Sequence, residues 1–244
     1  MRHGRSQREE AVAPDKRALT QAHHLIGGCS LFAGLSPGER GAISERARVR
    51  PFRGGETIFT IGSHGSQMMA VLSGTVRISV PASSGKELLL ARIQPGEIFG
   101  ELSLLDGKER SADAVAETAC TLALLDRRDV LSCFERNPSA WPKLVEVICQ
   151  RLRNADQILA EVALLQLPTR LAKALLRVLP STGPLAGTAK TRLSQRDLAN
   201  MVGGTRESVN KCLARWQTMG TVQISGGSIW ITNRQALEAI AEQN

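Results

Sequence analysis

The chain has 244 residues, 42% of them hydrophobic, and its 31 Lys and Arg against 23 Asp and Glu leave a net charge of +8. That length allows two modest domains with real cores, and no apolar run approaches the roughly 18 residues needed to span a bilayer. Five scattered cysteines (Cys29, Cys120, Cys133, Cys149 and Cys212) with no Cys-x-x-Cys pair speak against a disulfide framework or a zinc site and read as small buried hydrophobes in a reducing cell.

Residues 1–22 are charged and lack both apolar periodicity and the apolar stretch of a secretory signal, so they read as a mobile arm on a cytoplasmic protein. Residues 23–137 read as one unit. A helix is expected from Ser36 to Ala47, followed by short β-type segments such as Glu56–Thr60, Met69–Leu72, Thr75–Val80, Leu88–Ala91 and Thr121–Leu125, separated by Gly and Pro. Strands at that spacing suggest an antiparallel barrel or roll. Late in it falls the string Gly100-Glu101-Leu102-Ser103, a short apolar turn, and Arg110-Ser111-Ala112. Gly100 allows close backbone approach, Glu101 offers a carboxylate acceptor, and the Arg110 guanidinium suits a phosphate. An exposed Glu/Arg pair on an ordinary hairpin would account for these residues singly but not for the ordered string.

From Ala140 the period changes. Val145, Ile148, Leu152, Ala155, Leu159 and Val162 step by three and four residues, the pattern of a helical dimer seam across 138–167. A single amphipathic helix covering its own core is the other reading of that pattern. Pro168 is expected to end the helix and mark a hinge. Residues 168–244 then give a second helix from Thr169, a Pro- and Gly-rich loop from 180 to 191, and Ser194 as a helix cap. Leu198, Ala199 and Val202 face inward, Gly203-Gly204 turns the chain, and Thr205 caps a helix burying Val209, Leu213 and Trp216. That is helix-turn-helix spacing. Two β-type segments around Gly226-Gly227 suggest a wing. The outward face of the last helix offers Arg206, Glu207, Asn210 and Lys211, with Arg and Lys suited to guanine and Glu to cytosine N4. Arg215, Lys190 and Arg192 suit phosphates.

The fold class is therefore α+β: an N-terminal antiparallel β-roll, a long dimerisation helix and a C-terminal winged helix-turn-helix. The string at Gly100–Ala112 resembles the phosphate cassette of cyclic-nucleotide-binding domains, and the order roll, long helix, helix-turn-helix resembles the Crp/Fnr family of bacterial transcription regulators. The resemblance implies that Glu101 takes the ribose hydroxyl, that Arg110 and Ser111 take the cyclic phosphate, and that Arg206 and Glu207 read bases. Lys211 stands where the best-known member has Arg, so it lacks the bidentate fork. The resemblance further implies a homodimer on a two-fold symmetric DNA site with half-sites like TGTGA, and RNA polymerase as a partner.

Cyclic-AMP-responsive members place a Thr-Ser pair from the dimer helix on the adenine; here those positions hold Ala155 and Asp156, with Asn154 beside them. Asp156 is an acceptor suited to the adenine amino group or to the guanine edge, so cyclic AMP is the first expectation and cyclic GMP the second. The alternative is a regulator of this family acting without a nucleotide or with another small ligand. No metal, haem or Fe–S cluster is expected: only Cys29 lies where cluster cysteines would be needed, and His64 is the only histidine among the β-type segments, His3 lying in the arm and His23 and His24 in the lead-in. Without a Ser-His-Asp ordering or a Walker loop, no enzyme is expected.

Overall fold

Ser36 sets the first helix. Its hydroxyl accepts from Glu39 N at 3.4 Å while the Glu39 carboxylate accepts from Ser36 N at 2.7 Å, and Pro37 follows at the first helical position. The computed structural model describes residues 29–32, 35–82, 87–178, 194–226 and 228–243. After α1 (Pro37–Glu45) come β1 (Arg48–Phe52), β2 (Thr57–Phe59), β3 (Gln67–Ser73), β4 (Val76–Pro81), β5 (Glu87–Ile93) and β6 (Ile98–Phe99). A short α2 (Glu101–Asp106) leads to β7 (Asp113–Ala116) and β8 (Cys120–Asp126).

These strands make two antiparallel four-stranded sheets, ordered β1-β8-β3-β6 and β2-β7-β4-β5. Their facing sides bury Phe52, Val71, Val76, Phe99, Ala114 and Leu122, the interior of a roll. The outer side of the first sheet buries Met68, Ala70 and Leu125 against Phe32, Ile43, Val130, Phe134 and Leu144. Alternation on β3 therefore serves two cores, which explains why it reads almost wholly apolar.

The stretch between the last expected β-type segment, Thr121–Leu125, and Ala140, for which the sequence reading named no element, is helical. Asp126 ends β8 and stands at the N-cap position of α3 (Arg127–Arg136) without a side-chain capping bond, and Val130, Cys133 and Phe134 of that helix are buried at helical spacing. A 3₁₀ turn, Pro138–Ala140, then leads into α4, the 24-residue helix Trp141–Leu164. Only one flank of α4 meets the roll: Leu144 is buried, with Val147 and Ile148 packed against the same core. Ile148 thus leaves the expected dimer seam. The rest of the stripe stays bare, with Val145 53%, Leu152 61%, Leu159 67% and Val162 40% exposed.

Pro168 does not end this helix. α4 stops at Leu164, with Leu165 extended, and Pro168 lies in the first turn of α5 (Leu167–Val178), where its missing N–H leaves no bond unmade. Arg177 then braces the corner through two bonds to Glu161, at 2.7 and 3.1 Å.

The C-terminal unit comprises α5, α6 (Gln195–Val202), α7 (Arg206–Thr218), the hairpin of β9 (Val222–Ser225) and β10 (Ser228–Ile231), and α8 (Arg234–Ala241). Leu171, Leu175, Leu198, Val209, Leu213, Trp216, Ile229 and Leu237 form its core. Ser194 and Asp197 cap α6 reciprocally, Gly203 closes it at φ +62°, and Thr205 caps α7 by accepting from Ser208 N at 3.1 Å. No helix among the described residues is long and apolar enough to cross a membrane.

Candidate functional site

The chain leaves β6 through Gly100 at φ +76°, where a Cβ would lie 2.6 Å from Arg110 Nη1. Glycine is required here by both conformation and space. That turn starts α2 with Glu101, whose side chain is 1% exposed. Arg151 from α4 brings Nη1 to 3.0 Å of the carboxylate, yet its other terminal nitrogen is committed to the Ile98 carbonyl. That ion pair on Oε1 is the carboxylate's side-chain partner, and neither buried oxygen is fully satisfied by hydrogen bonds. Burial pushes the Glu101 carboxyl above its usual range, opposed by the Arg151 charge, by a backbone hydrogen bond from Glu101 itself and more weakly by Arg110.

Arg110 is drawn inside the roll, 6% exposed. Its Nη1 donates to the Gly100 carbonyl and to Ser103 Oγ, both at 2.7 Å, and its Nη2 donates to the Gln67 carbonyl at 2.7 Å. The guanidinium lies 4.2 Å over the Phe59 ring. Burial pulls it below its ordinary value, and the nearby Glu101 opposes that. Arg110 Nε is buried and unpartnered. Gly65 shapes the same spot, since a Cβ there would fall 2.2 Å from Ser103 Oγ and 2.6 Å from that Nε. Ser111 is exposed, Ala112 is 5% exposed and Leu102 is 42% exposed.

Buried polar atoms without partners are costly. A ligand carrying hydroxyl donors beside an anion would satisfy both the Glu101 oxygens and Arg110 Nε. Arg151, Gly65 and Phe59 were missed in the sequence, because only the tertiary fold brings them to the cassette. Asn154 and Asp156 lie three and five residues beyond Arg151, on exposed positions of α4. Asn154 accepts from Gln150 Nε2 at 3.0 Å, and neither residue bonds to the cassette within the described residues.

The state of Glu101 has a measurable consequence. A carboxyl whose folded pKa lies above the ordinary value of 4.5 favours folding below that value, and the contribution is lost as pH rises through the folded pKa. The stability of Glu101→Gln relative to wild type should therefore rise as pH climbs through that value, because the amide carries no charge to bury, while loss of the Arg151 pair adds an offset that Glu101 protonation does not set. Calorimetric melting from about pH 4 to about pH 8 checks it, and a stability difference that stays flat or moves the other way contradicts it.

At the second candidate surface α7 projects from the C-terminal unit. Arg206, Glu207, Lys211 and Arg215 are exposed, and Lys211 Nζ sits 2.8 Å from Glu207 Oε1, which lowers the carboxyl and raises the ammonium. Asn210 departs from expectation: it is half-buried and its Oδ1 is buried without a partner. Thr205 spends its hydroxyl on the cap. Lys190 and Arg192 lie outside the described residues.

Family models match both regions: the cyclic nucleotide-binding domain over residues 49–137 and the Crp-like helix-turn-helix domain over residues 169–240. The chain is 31% identical over 216 residues to a CRP-like cAMP-activated global transcriptional regulator of Mycobacterium tuberculosis, covering 87% of this chain and 96% of that protein. It is 35% identical over 215 residues to the cyclic AMP receptor protein of Thermus thermophilus, covering 88% and 97%. The solved structure of the c-di-GMP responsive global regulator CLP of Xanthomonas campestris matches in fold with a TM-score of 0.73 at 21% identity, covering 80% of this chain and 99% of that one.

Proposed function

The chain belongs to the Crp/Fnr family of transcription regulators, and on that premise we propose that it is a homodimer whose DNA affinity is set by a cyclic nucleotide, cyclic AMP first, bound at the cassette. The observation that carries the ligand half is a buried pair of incompletely satisfied groups, the Glu101 carboxylate, held only by the Arg151 ion pair, and the unpartnered Arg110 Nε. Glu101 takes the ribose 2′-hydroxyl. Arg110 and Ser111 take the cyclic phosphate, and Gly100, Leu102, Ser103 and Ala112 hold the loop that presents them. The bare stripe of α4 pairs with its copy, which brings Asn154 and Asp156 of one subunit toward the base in the other. Asp156 accepts from the adenine amino group, and cyclic GMP is the competing fit. We assign the roll to residues 23–137, the dimer helix to 138–167 and the DNA-binding unit to 168–244.

Arg206 and Glu207 read base edges at the N-terminal end of α7, Lys211 reaches guanine without a fork, and Arg215 and Arg192 contact phosphates. RNA polymerase is the proposed protein partner. A nucleotide touching both the roll and the partner helix favours one placement of the two DNA-binding heads, by no more than its differential affinity for the two placements.

Calorimetric titration of the purified protein with cyclic AMP and cyclic GMP tests the ligand assignment. Binding below the millimolar range, one nucleotide per subunit and tighter for cyclic AMP, is expected; a correctly folded dimer that binds neither rules it out and leaves the DNA half standing. For the DNA face, Arg206→Ala should cost about 1–3 kcal/mol and relax preference at one base pair. An equal loss on specific and random duplexes would remove Arg206 from base reading.

A further inference from the structure

The roll and the DNA-binding unit of one chain are joined by a polar contact centred on Glu87, the first residue of β5. Its side chain is 22% exposed. From β4, Ser79 Oγ donates to Glu87 Oε1, and Arg77 Nη2 lies 3.4 Å from the same oxygen. From the other unit, Asn200 Nδ2 on α6 donates to Glu87 Oε2 at 2.9 Å, across 113 positions of sequence, and Asn200 is 8% exposed. The neighbouring Leu88 seats against the α6–α7 turn: a Cβ on Gly203 would lie 3.5 Å from Leu88 Cδ1 and 3.7 Å from Val162 Cγ2. One carboxylate thus collects donors from the roll on one oxygen and from the DNA-binding unit on the other.

The strand register connects this contact to the cassette. Ser79 pairs with Asp113, the first residue of β7, two positions after Ser111. A short covalent and hydrogen-bonded path therefore runs from Ser111 through β7 and β4 to Glu87 and Asn200. The contact leaves the reading face open, with the Glu207 and Lys211 side chains each 77% exposed. It fixes where α7 is presented without masking it.

We infer that Glu87 and Asn200 form a latch that holds each DNA-binding head at the placement on its roll needed to engage two half-sites at once. The inference rests on the dimeric, DNA-binding reading above. A single head needs no particular placement to fill one half-site, whereas two heads on one duplex must match its spacing, roughly 34 Å between half-sites. The latch therefore acts on full-site binding and leaves half-site binding alone, which a merely stabilising contact would not do.

Fluorescence anisotropy with a two-fold symmetric duplex and with a single half-site duplex separates these outcomes. Asn200→Ala and Glu87→Ala should each weaken full-site binding about tenfold while half-site binding stays within about twofold, and the double variant should be no worse than either single one. Asn200→Asp sets two carboxylates against each other and should weaken full-site binding further. Adding Glu87→Gln to it restores a donor–acceptor pair of reversed polarity, because the new amide N–H donates to the new carboxylate and the amide oxygen still accepts from Ser79. That variant should regain most of the full-site affinity. Equal losses on both duplexes, additive losses, or no rescue would overturn the latch. The measurement is made with and without cyclic AMP. If the nucleotide does not bind, the ligand assignment fails, and the full-site to half-site ratio still decides the latch.

Discussion

Arg110→Ala should abolish nucleotide binding in any usable range. A buried guanidinium hydrogen-bonded to an anion contributes about 2–5 kcal/mol when one partner is truncated, which corresponds to a loss of roughly 30-fold to several thousand-fold in affinity. The same change carries a second cost that the sequence does not reveal. Arg110 also donates to the Gly100 and Gln67 carbonyls and to Ser103 Oγ, so the variant should melt below wild type as well as lose the ligand. Lys cannot reproduce that fork, and Arg110→Lys should fail nearly as badly. Ser111→Ala separates the two effects: Ser111 is exposed, so it should lose affinity with little change in melting temperature. Calorimetry for binding and thermal melting for stability check this set. Nucleotide affinity unchanged in Arg110→Ala would remove the phosphate assignment.

The second large effect concerns α4. Leu152 and Leu159 are 61% and 67% exposed on the single chain, so Lys at both positions should leave the fold of a subunit intact. In a dimer paired along this stripe the ammonium groups would be buried without partners, at a cost of several kcal/mol. The double variant should therefore sediment as a monomer, keep its melting profile apart from any concentration dependence, and lose full-site DNA binding. A variant that stays dimeric would place the interface on another surface.

Elements with a strong local pattern were legible in the sequence. Ser194 announces its cap, the alternation of Val76–Val80 announces β4, and Leu198, Val202, Val209, Leu213 and Trp216 announce a helix-turn-helix. The cassette string stood out because Gly100, Glu101, Arg110 and Ser111 fall in order within one short stretch of chain. Features resting on tertiary competition were not legible. Ile148 satisfies the seam spacing, yet the roll core captures it. Pro168 looks like a terminator and instead begins α5, because the chain had already turned at Leu165. α3 is short and follows β8 without an intervening loop, so its helical period is easily absorbed into the strand pattern before it. Arg151 sits on a polar flank of α4, and no spacing connects it to Glu101, 50 positions earlier; only the packing of α4 on the roll does. Asn210 occupies an outward-looking position in the pattern, but its amide oxygen is buried.

Ligand control of DNA binding is tested most directly by the affinity of the dimer for a two-fold symmetric duplex, measured at fixed salt with and without saturating cyclic AMP. Salt must be held constant because phosphate contacts make the affinity steeply dependent on it. Tightening of about 5- to 150-fold with nucleotide, absent in Arg110→Ala, is the predicted result. Equal affinities in a protein shown by calorimetry to be saturated with cyclic AMP would contradict it.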